Sequence, residues 1–368
     1  MLSARVEAGI VFYERLAGDT VFAPAQRPEW VRAWTHQVNP DTLVASLTDE
    51  HENPVVALPL EVVPAGRLRI ARFVGGSHAN GSFPATAKDI APVPAPALAT
   101  LVQAIRAQRP DIDVLALERM TPAIAGMRNP LMDLPHRASP NPALAVDLKD
   151  GFDAILARLS GKRIKRHRAQ ARKFAALGGA GRQVARTEAE VERCLQAFFA
   201  MKAERFRAMG IADVFAEPDV RAFFGQLFRD SLASGAFTLE ALDVGGKLRA
   251  VTGHSRCGDR LICQFGAIAS DELAPHSPGD FLSYQNIEAA CEAGFKVYDF
   301  NVGDEPYKRT WCDIEERQFD VVLPLTAGGR LLSGWLGAQA ALKGWIKSNR
   351  VLWPLVRKLR RRMLGTRL

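Results

Sequence analysis

Three of the chain's four tyrosines, a Tyr-Lys pair and several carboxylates and histidines fall between His254 and Trp311. These are residue types that move protons and hold negative charge. Tyr298, Tyr307 and Tyr284 can protonate a leaving group. Asp299 and Glu305 can accept a proton or anchor an amine, and His254 and His276 can relay one. Lys308 offers a compact positive charge to a phosphate, a carboxylate or an oxyanion forming during reaction. Each also has a structural use. Asp299 fits a cap on the next turn, Tyr298 the alternation of a strand, and Lys308 an i, i+3 pair with Glu305. Cysteines 194, 257, 263, 291 and 312 are odd in number and lack C-x-x-C spacing, which points to reduced thiols and no metal site.

The elements that must position these residues are marked locally. Leu261–Ile268 is apolar and bounded by turn formers, as a buried strand would be, and it carries Gln264 and Phe265. Ser277, Pro278 and Gly279 open a helix, with Ser277 expected at the N-cap and Asp280 three residues on. Tyr284, Ile287 and Cys291 follow at helical spacing, and Gly294 closes it. A strand over 296–300 then leads into a polar corner, Asn301, Gly303, Asp304 and Glu305, before Tyr307, Lys308 and Trp311.

Elsewhere the patterns predict a helix before Asp19 and another over 29–37. Strands are expected over 42–47, 55–63 and 68–74, then a helix over 97–108 and a strand over 113–117. The Gly- and Pro-rich stretch 75–96 reads as a long loop of the kind that carries function. Residues 129–142, with four prolines, read as a linker. The second half repeats the order: one or two helices over 152–177, helices over 188–207 and 218–234, strands over 237–243 and 248–255, then the window above. Arg205 ends the long helix in E-R-F-R-A-M-G, where it suits either a substrate carboxylate or phosphate, or simply the helix dipole.

The pair S-P-G opening a helix and D-F-x-x-G-x-x-x-Y-K-x-x-W resembles the CelD-type GNAT proteins, relatives of the FemABX peptidyltransferases. It is carried by Ser277, Pro278 and Gly279, then Asp299, Phe300, Gly303, Tyr307, Lys308 and Trp311. The resemblance implies an α/β (α+β) fold of two tandem GNAT-like domains, each a mixed sheet flanked by helices. The expected limits are 1–148 and 149–326, followed by a basic tail over 327–368. It further implies an N- or O-acyltransferase acting on an envelope, polysaccharide or lipid-related precursor, with acyl-CoA as co-substrate. Two parallel strands should splay to admit the donor. Gln264, Phe265, Ser277, Pro278 and Gly279 would line its site; Tyr298, Asp299, Tyr307 and Lys308 would act in catalysis; Arg205, His254, Glu305 and Trp311 would meet the acceptor. The usual Q/R-x-x-G-x-G/A phosphate signature is absent, Pro278 lacks an amide proton, and Asp280 adds a carboxylate. Two other readings therefore stay open: an aminoacyl-tRNA-dependent transferase, and an idle GNAT-fold protein that binds an envelope synthase or membrane surface.

Charge is unevenly placed. The net charge of +8 hides a body near neutrality: ten of the 48 Lys/Arg and none of the 40 Asp/Glu lie from Val321 onward, leaving residues 1–320 at −2. Tryptophans followed by cations over 343–362 suit an anionic membrane surface, or else a terminal helix packed on the body. A second cluster, Arg158–Lys173, holds eight basic residues and no acid. A tRNA could use it, although no aromatics interleave it and no DNA- or RNA-binding motif is present. No run of 18 apolar residues and no leader-like N-terminus occurs, so the expected setting is cytoplasmic, at most peripheral to the membrane.

Overall fold

In the computed structural model, which describes residues 2–16 and 20–348, all the strands but one small hairpin build one continuous sheet. The first half comprises β1 (Ser3–Ala8), α1 (Val11–Glu14), β2 (Thr20–Val21), α2 (Pro28–Gln37), β3 (Thr42–Thr48), β4 (Pro54–Ala65), β5 (Leu68–Phe73), β6 (Ala85–Ala87), α3 (Ala95–Gln108) and β7 (Val114–Met120). A small hairpin, β8 (Ala123–Ile124) and β9 (Met127–Arg128), precedes β10 (His136–Asp147). The second half comprises α4 (Gly151–Arg158), α5 (Gly161–Ala175), β11 (Ala180–Val184), α6 (Glu188–Met209), α7 (Pro218–Asp230), β12 (Phe237–Val244), β13 (Lys247–Cys257), β14 (Arg260–Ile268), α8 (Pro278–Glu292), β15 (Val297–Val302), α9 (Pro306–Arg309), β16 (Ile314–Pro324) and α10 (Ala327–Ser348). The repeated order expected from the sequence is present, with one further strand ahead of it in each half, β1 in the first and β11, after α4 and α5, in the second.

Across the sheet the strands run β1-β3-β4-β5-β7-β16-β10-β15-β14-β13-β12-β11. The two halves exchange their last strands. β10 follows the first half in sequence yet pairs with β15, while β16 ends the second half and pairs with β7. The two exchanged strands pair with each other in the middle. Two sequence expectations are corrected here. The expected linker 129–142 contains the start of β10: two of its four prolines, Pro140 and Pro142, sit where the β10–β16 register shifts between Ala138 and Pro142, a place that tolerates a residue without a backbone donor. The helix expected before Asp19 is instead β1 and the four-residue α1, because β1 takes up pairing with β3.

Alternation divides the core between the two faces. On β3, Val44 faces a layer shared with α2, α6 and α7, while Leu43, Ala45 and Leu47 pack with α3. The shared layer joins the halves through rings: Trp30 and Trp34 of α2 meet Phe223 of α7 edge to face, with centroids 4.9 and 5.0 Å apart. Behind β14 and β15, α8 buries Ile287 and Ala290 against Leu261, Tyr298 and Phe300. Among the described residues no helix is long and apolar enough to cross a membrane, and the five cysteines are all free. The tail expectation over 343–362 falls on side chains outside the described residues; within the described part of α10, Leu331 and Trp335 are exposed.

Candidate functional site

The parallel strands β14 and β15 pair at three positions, Arg260–Val297, Leu261–Tyr298 and Ile262–Asp299, and then part. A bulge drives the parting. Gly253 of β13 faces Phe265 and His254 faces Cys263, so Gln264 is the extra residue on β14. Gly253 is required there, since a Cβ would lie within 2.7 Å of three carbons of the Phe265 ring. Between the separated strand ends lies a slot of about 290 Å³. Its walls come from both halves: Gln264, Phe265, Asn301, Tyr307 and Lys308 of the second, Ser77, His78 and Asn80 of the first, with Lys202 on α6.

Lys308 is 5 % exposed, on the one-turn helix α9. Its three ammonium protons are all engaged: Nζ lies 3.0 Å from Glu305 Oε2, 2.9 Å from the Val302 carbonyl and 3.4 Å from that of Asn301. The pairing with Glu305 anticipated from the i, i+3 spacing is therefore made. Glu305 is the half-exposed partner, so it is the one that a second anion can replace with least loss. Tyr307 is 48 % exposed at the mouth, its ring edge-on to Phe300. Gln264 donates to Ser255 Oγ at 2.7 Å and accepts from Asn301 Nδ2 at 3.3 Å. Asn301 has φ of 62°, a left-handed conformation that asparagine tolerates, at the point where β15 leaves β14.

The remaining expected residues lie around the slot. Tyr298 is buried beneath it and its hydroxyl meets His254 Nε2 at 2.8 Å; His254 Nδ1 stands 3.6 Å from Glu240. Burial lowers the His254 pKa and raises that of Tyr298, so both are neutral at pH 7. Asp299 turns away from the slot, accepting from Arg260 at 2.8 Å and from the Asn301 amide at 2.6 Å. Its carboxyl is raised by burial. Arg205 is exposed and does not line the slot. Trp311 lies at the start of α8, where its Nε1 donates to Asp280 Oδ1 at 3.1 Å and Arg163 stacks 4.2 Å from its ring.

That start of α8 differs from the expected capped turn. Ser277 has φ of 53° and its side chain caps nothing; Asp280 instead pairs with Arg163 at 2.5 Å and Arg166 at 3.4 Å from α5. Gln170 of α5 donates to the His276 carbonyl at 2.6 Å. The amides of Asp280 and Phe281 are bonded to Ser277 O, Pro278 has none, and Gly279 packs so tightly that a Cβ would sit 2.6 Å from Ile268. A CoA pyrophosphate needs several free amides in this turn and no carboxylate. The turn offers neither, so these residues do not fit that group.

Sequence reasoning missed His78, Asn80 and Lys202. His78 and Asn80 belong to the long loop after β5, brought across by Arg119, whose guanidinium donates to the Gly76 and Ser77 carbonyls and to Asn80 Oδ1. Burial holds His78 down to about 4, so it is neutral. Lys202 had a signal: a lysine in the apolar register of Leu195, Phe198, Phe199 and Phe206. Its Nζ lies 5.5 to 5.7 Å from the rings of Phe198, Phe206 and Phe215, and desolvation lowers its pKa. The slot thus combines an aromatic floor, two lysines and a neutral imidazole, an arrangement that can hold an acyl carbonyl and offset charge forming on its oxygen.

Residues 161–309 match the acetyltransferase (GNAT) domain family. FemX has a similar fold, with a TM-score of 0.51 at 12 % identity, over 80 % of this chain and 91 % of that one. L-PGS from Bacillus licheniformis gives 0.50 at 12 % identity, over 86 % and 97 %. A conserved protein of unknown function from Bacteroides thetaiotaomicron gives 0.50 at 15 %, over 80 % and 89 %. No curated protein matches the sequence. Residues 161–309 are therefore similar to the acetyltransferase (GNAT) domain family, which supports an acyltransferase activity, and the fold of the chain is similar to that of FemX.

Proposed function

We propose that the slot between β14 and β15 holds the activated carbonyl of an acyl donor and passes the acyl group to an amine or hydroxyl. The observation that carries this reading is the parting of two parallel strands over Lys308. In the transfer, the acceptor's lone pair forms a bond to the carbonyl carbon and the bond to the carrier's sulfur or oxygen breaks. The acceptor's proton leaves with the carrier. Lys308, released from Glu305, balances the oxyanion between these steps. Tyr307 is the hydroxyl at the mouth that can protonate the leaving group. Tyr298 and His254, neutral beneath the slot, position Cys263 and the strand without meeting the reactants. Lys202 favours a donor with negative charge.

The carrier is the finer point. α8 does not offer the cradle for CoA, while α5 exposes Lys165, Arg166, Arg168, Arg172 and Lys173 beside it. That favours a polyanionic carrier held by side chains, for which an aminoacyl-tRNA is the stronger reading and acyl-CoA the other. An envelope or lipid-related acceptor, and the CelD-type assignment, are carried by the motif resemblance.

Thermal shift and filter binding with acetyl-CoA, longer acyl-CoAs and charged tRNA test this directly. A carrier that binds should raise the melting temperature, and Lys308→Ala should remove the gain that the acyl group adds over the bare carrier. If neither acyl-CoA nor charged tRNA binds in low salt, the transferase reading fails.

A further inference from the structure

Next to the slot lies a second cavity of about 290 Å³, and the two share Asn80 and Asn301 as walls. It runs along the stretch where β14 and β15 are still paired, from Asp259 and Val297 to Asn301, and the β8–β9 hairpin forms its rim. Four strand steps lead from Val297 to Asn301, so the cavity is roughly 13 Å long.

Its charges are not balanced. Asp259, Asp299 and Glu316 face it with one cation, Arg260. That guanidinium is already shared between Asp299 at 2.8 Å and Glu316 at 2.5 and 3.0 Å. Asp259 is exposed and, among the described residues, has no ion pair. A separate observation comes from β16. Gln318 lines the same cavity, is only 4 % exposed, and its Oε1 has no hydrogen-bond partner. A buried amide oxygen without a donor is costly, and such a group at a cavity wall is satisfied when a donor enters.

We propose that this cavity is the acceptor site and that it takes an elongated molecule with an ammonium group set apart from its nucleophilic nitrogen. The ammonium sits among Asp259, Glu316 and the Gln318 oxygen, and the nucleophile reaches the junction at Asn301, where the donor carbonyl would lie. The role rests on the transferase reading above; the binding does not.

The test uses three probes of one length and different charge, 1,8-diaminooctane, 1,8-octanediol and suberate, titrated calorimetrically into the full chain without any donor. The diamine should bind at least tenfold more tightly than the diol, and suberate not at all. Asp259→Asn should weaken the diamine about fivefold. Gln318→Met should do the same while leaving the urea midpoint unchanged or higher, because it removes an unpaired group; a purely structural glutamine would show the opposite, lost stability and unaltered binding. Equal binding of diol and diamine, or diamine binding untouched by both variants, overturns the proposal. Diamine binding without transfer from any donor would leave this site standing and sink the transferase reading alone.

Discussion

Replacing Gly253 by alanine probes the bulge that opens the slot. The new methyl would lie within 2.7 Å of three carbons of the Phe265 ring, well inside van der Waals contact. The ring has little room to retreat, since its centroid is 4.3 Å from that of Phe198, 5.3 Å from Phe224 and 5.8 Å from Phe228. Overpacking of this kind costs about 1–3 kcal/mol. Phe265→Leu removes three carbons from a partly buried side chain, about 2 kcal/mol at about 0.8 per buried CH₂. In the double variant the leucine vacates the space that the methyl needs. The two costs should then fall short of their sum by about 1 kcal/mol or more, the range expected of residues in contact. Urea unfolding of the four proteins at pH 7.5 measures the cycle. Costs that add within about 0.5 kcal/mol, or a neutral Gly253→Ala, would refute the claim that this contact sets the bulge and the parting of the strands.

Other outcomes follow from the same geometry. Arg119→Ala removes three charge-assisted hydrogen bonds to loop 76–80 and should cost about 2–4 kcal/mol. It should also speed amide exchange of that loop selectively, as hydrogen-exchange mass spectrometry would show. His78 is held down to about 4 by burial, against about 6.5 when unfolded. Its neutral form is the one the fold favours, so stability is full above pH 6.5 and is lost as pH falls toward 4. By pH 5 the loss should reach about 2 kcal/mol, and urea midpoints for His78→Phe should show a shallower decline. Glu305→Gln should leave the fold intact and tighten binding of an anionic donor at Lys308, read as a larger thermal shift at equal ligand. Liposome flotation should bring up the full chain with anionic vesicles but not a chain ending at Gly328; equal recovery removes the membrane role of the tail.

Most of the repeated elements were legible because their signals are local. The helix over 188–209 has a full capping box at Thr187 and Glu190, and the strands around Gly245 and Gly258 end in turns that glycine marks. What could not be read was whatever another part of the chain decides. β11 follows two glycines, carries a third and shows no clear apolar alternation, and is a strand only because β12 pairs with it. β10 hides behind four prolines, since its partners lie 150 residues or more away. In the site, Tyr307 and Lys308 of the D-F-x-x-G-x-x-x-Y-K spacing line the slot. Asp299 and Trp311 belong to the same motif but turn elsewhere, toward Arg260 and toward Asp280. Spacing along a strand says which residues are neighbours, and the partner on the far side says which way they point. His78 and Asn80 arrive from the other half, so no pattern within the motif window could have named them.

The exchange of β10 and β16 bears on how the molecule is made. Arg119 of β7 bonds to Asp320 of β16 across 201 residues, so the middle of the sheet stays open until nearly the whole chain has been synthesised. Contacts of such separation slow folding and leave strand edges bare in the meantime. An emerging chain therefore exposes the edges of β7 and β10 for many seconds on the ribosome, and cutting the gene between the halves would leave each fragment with a bare edge that its own residues cannot cover.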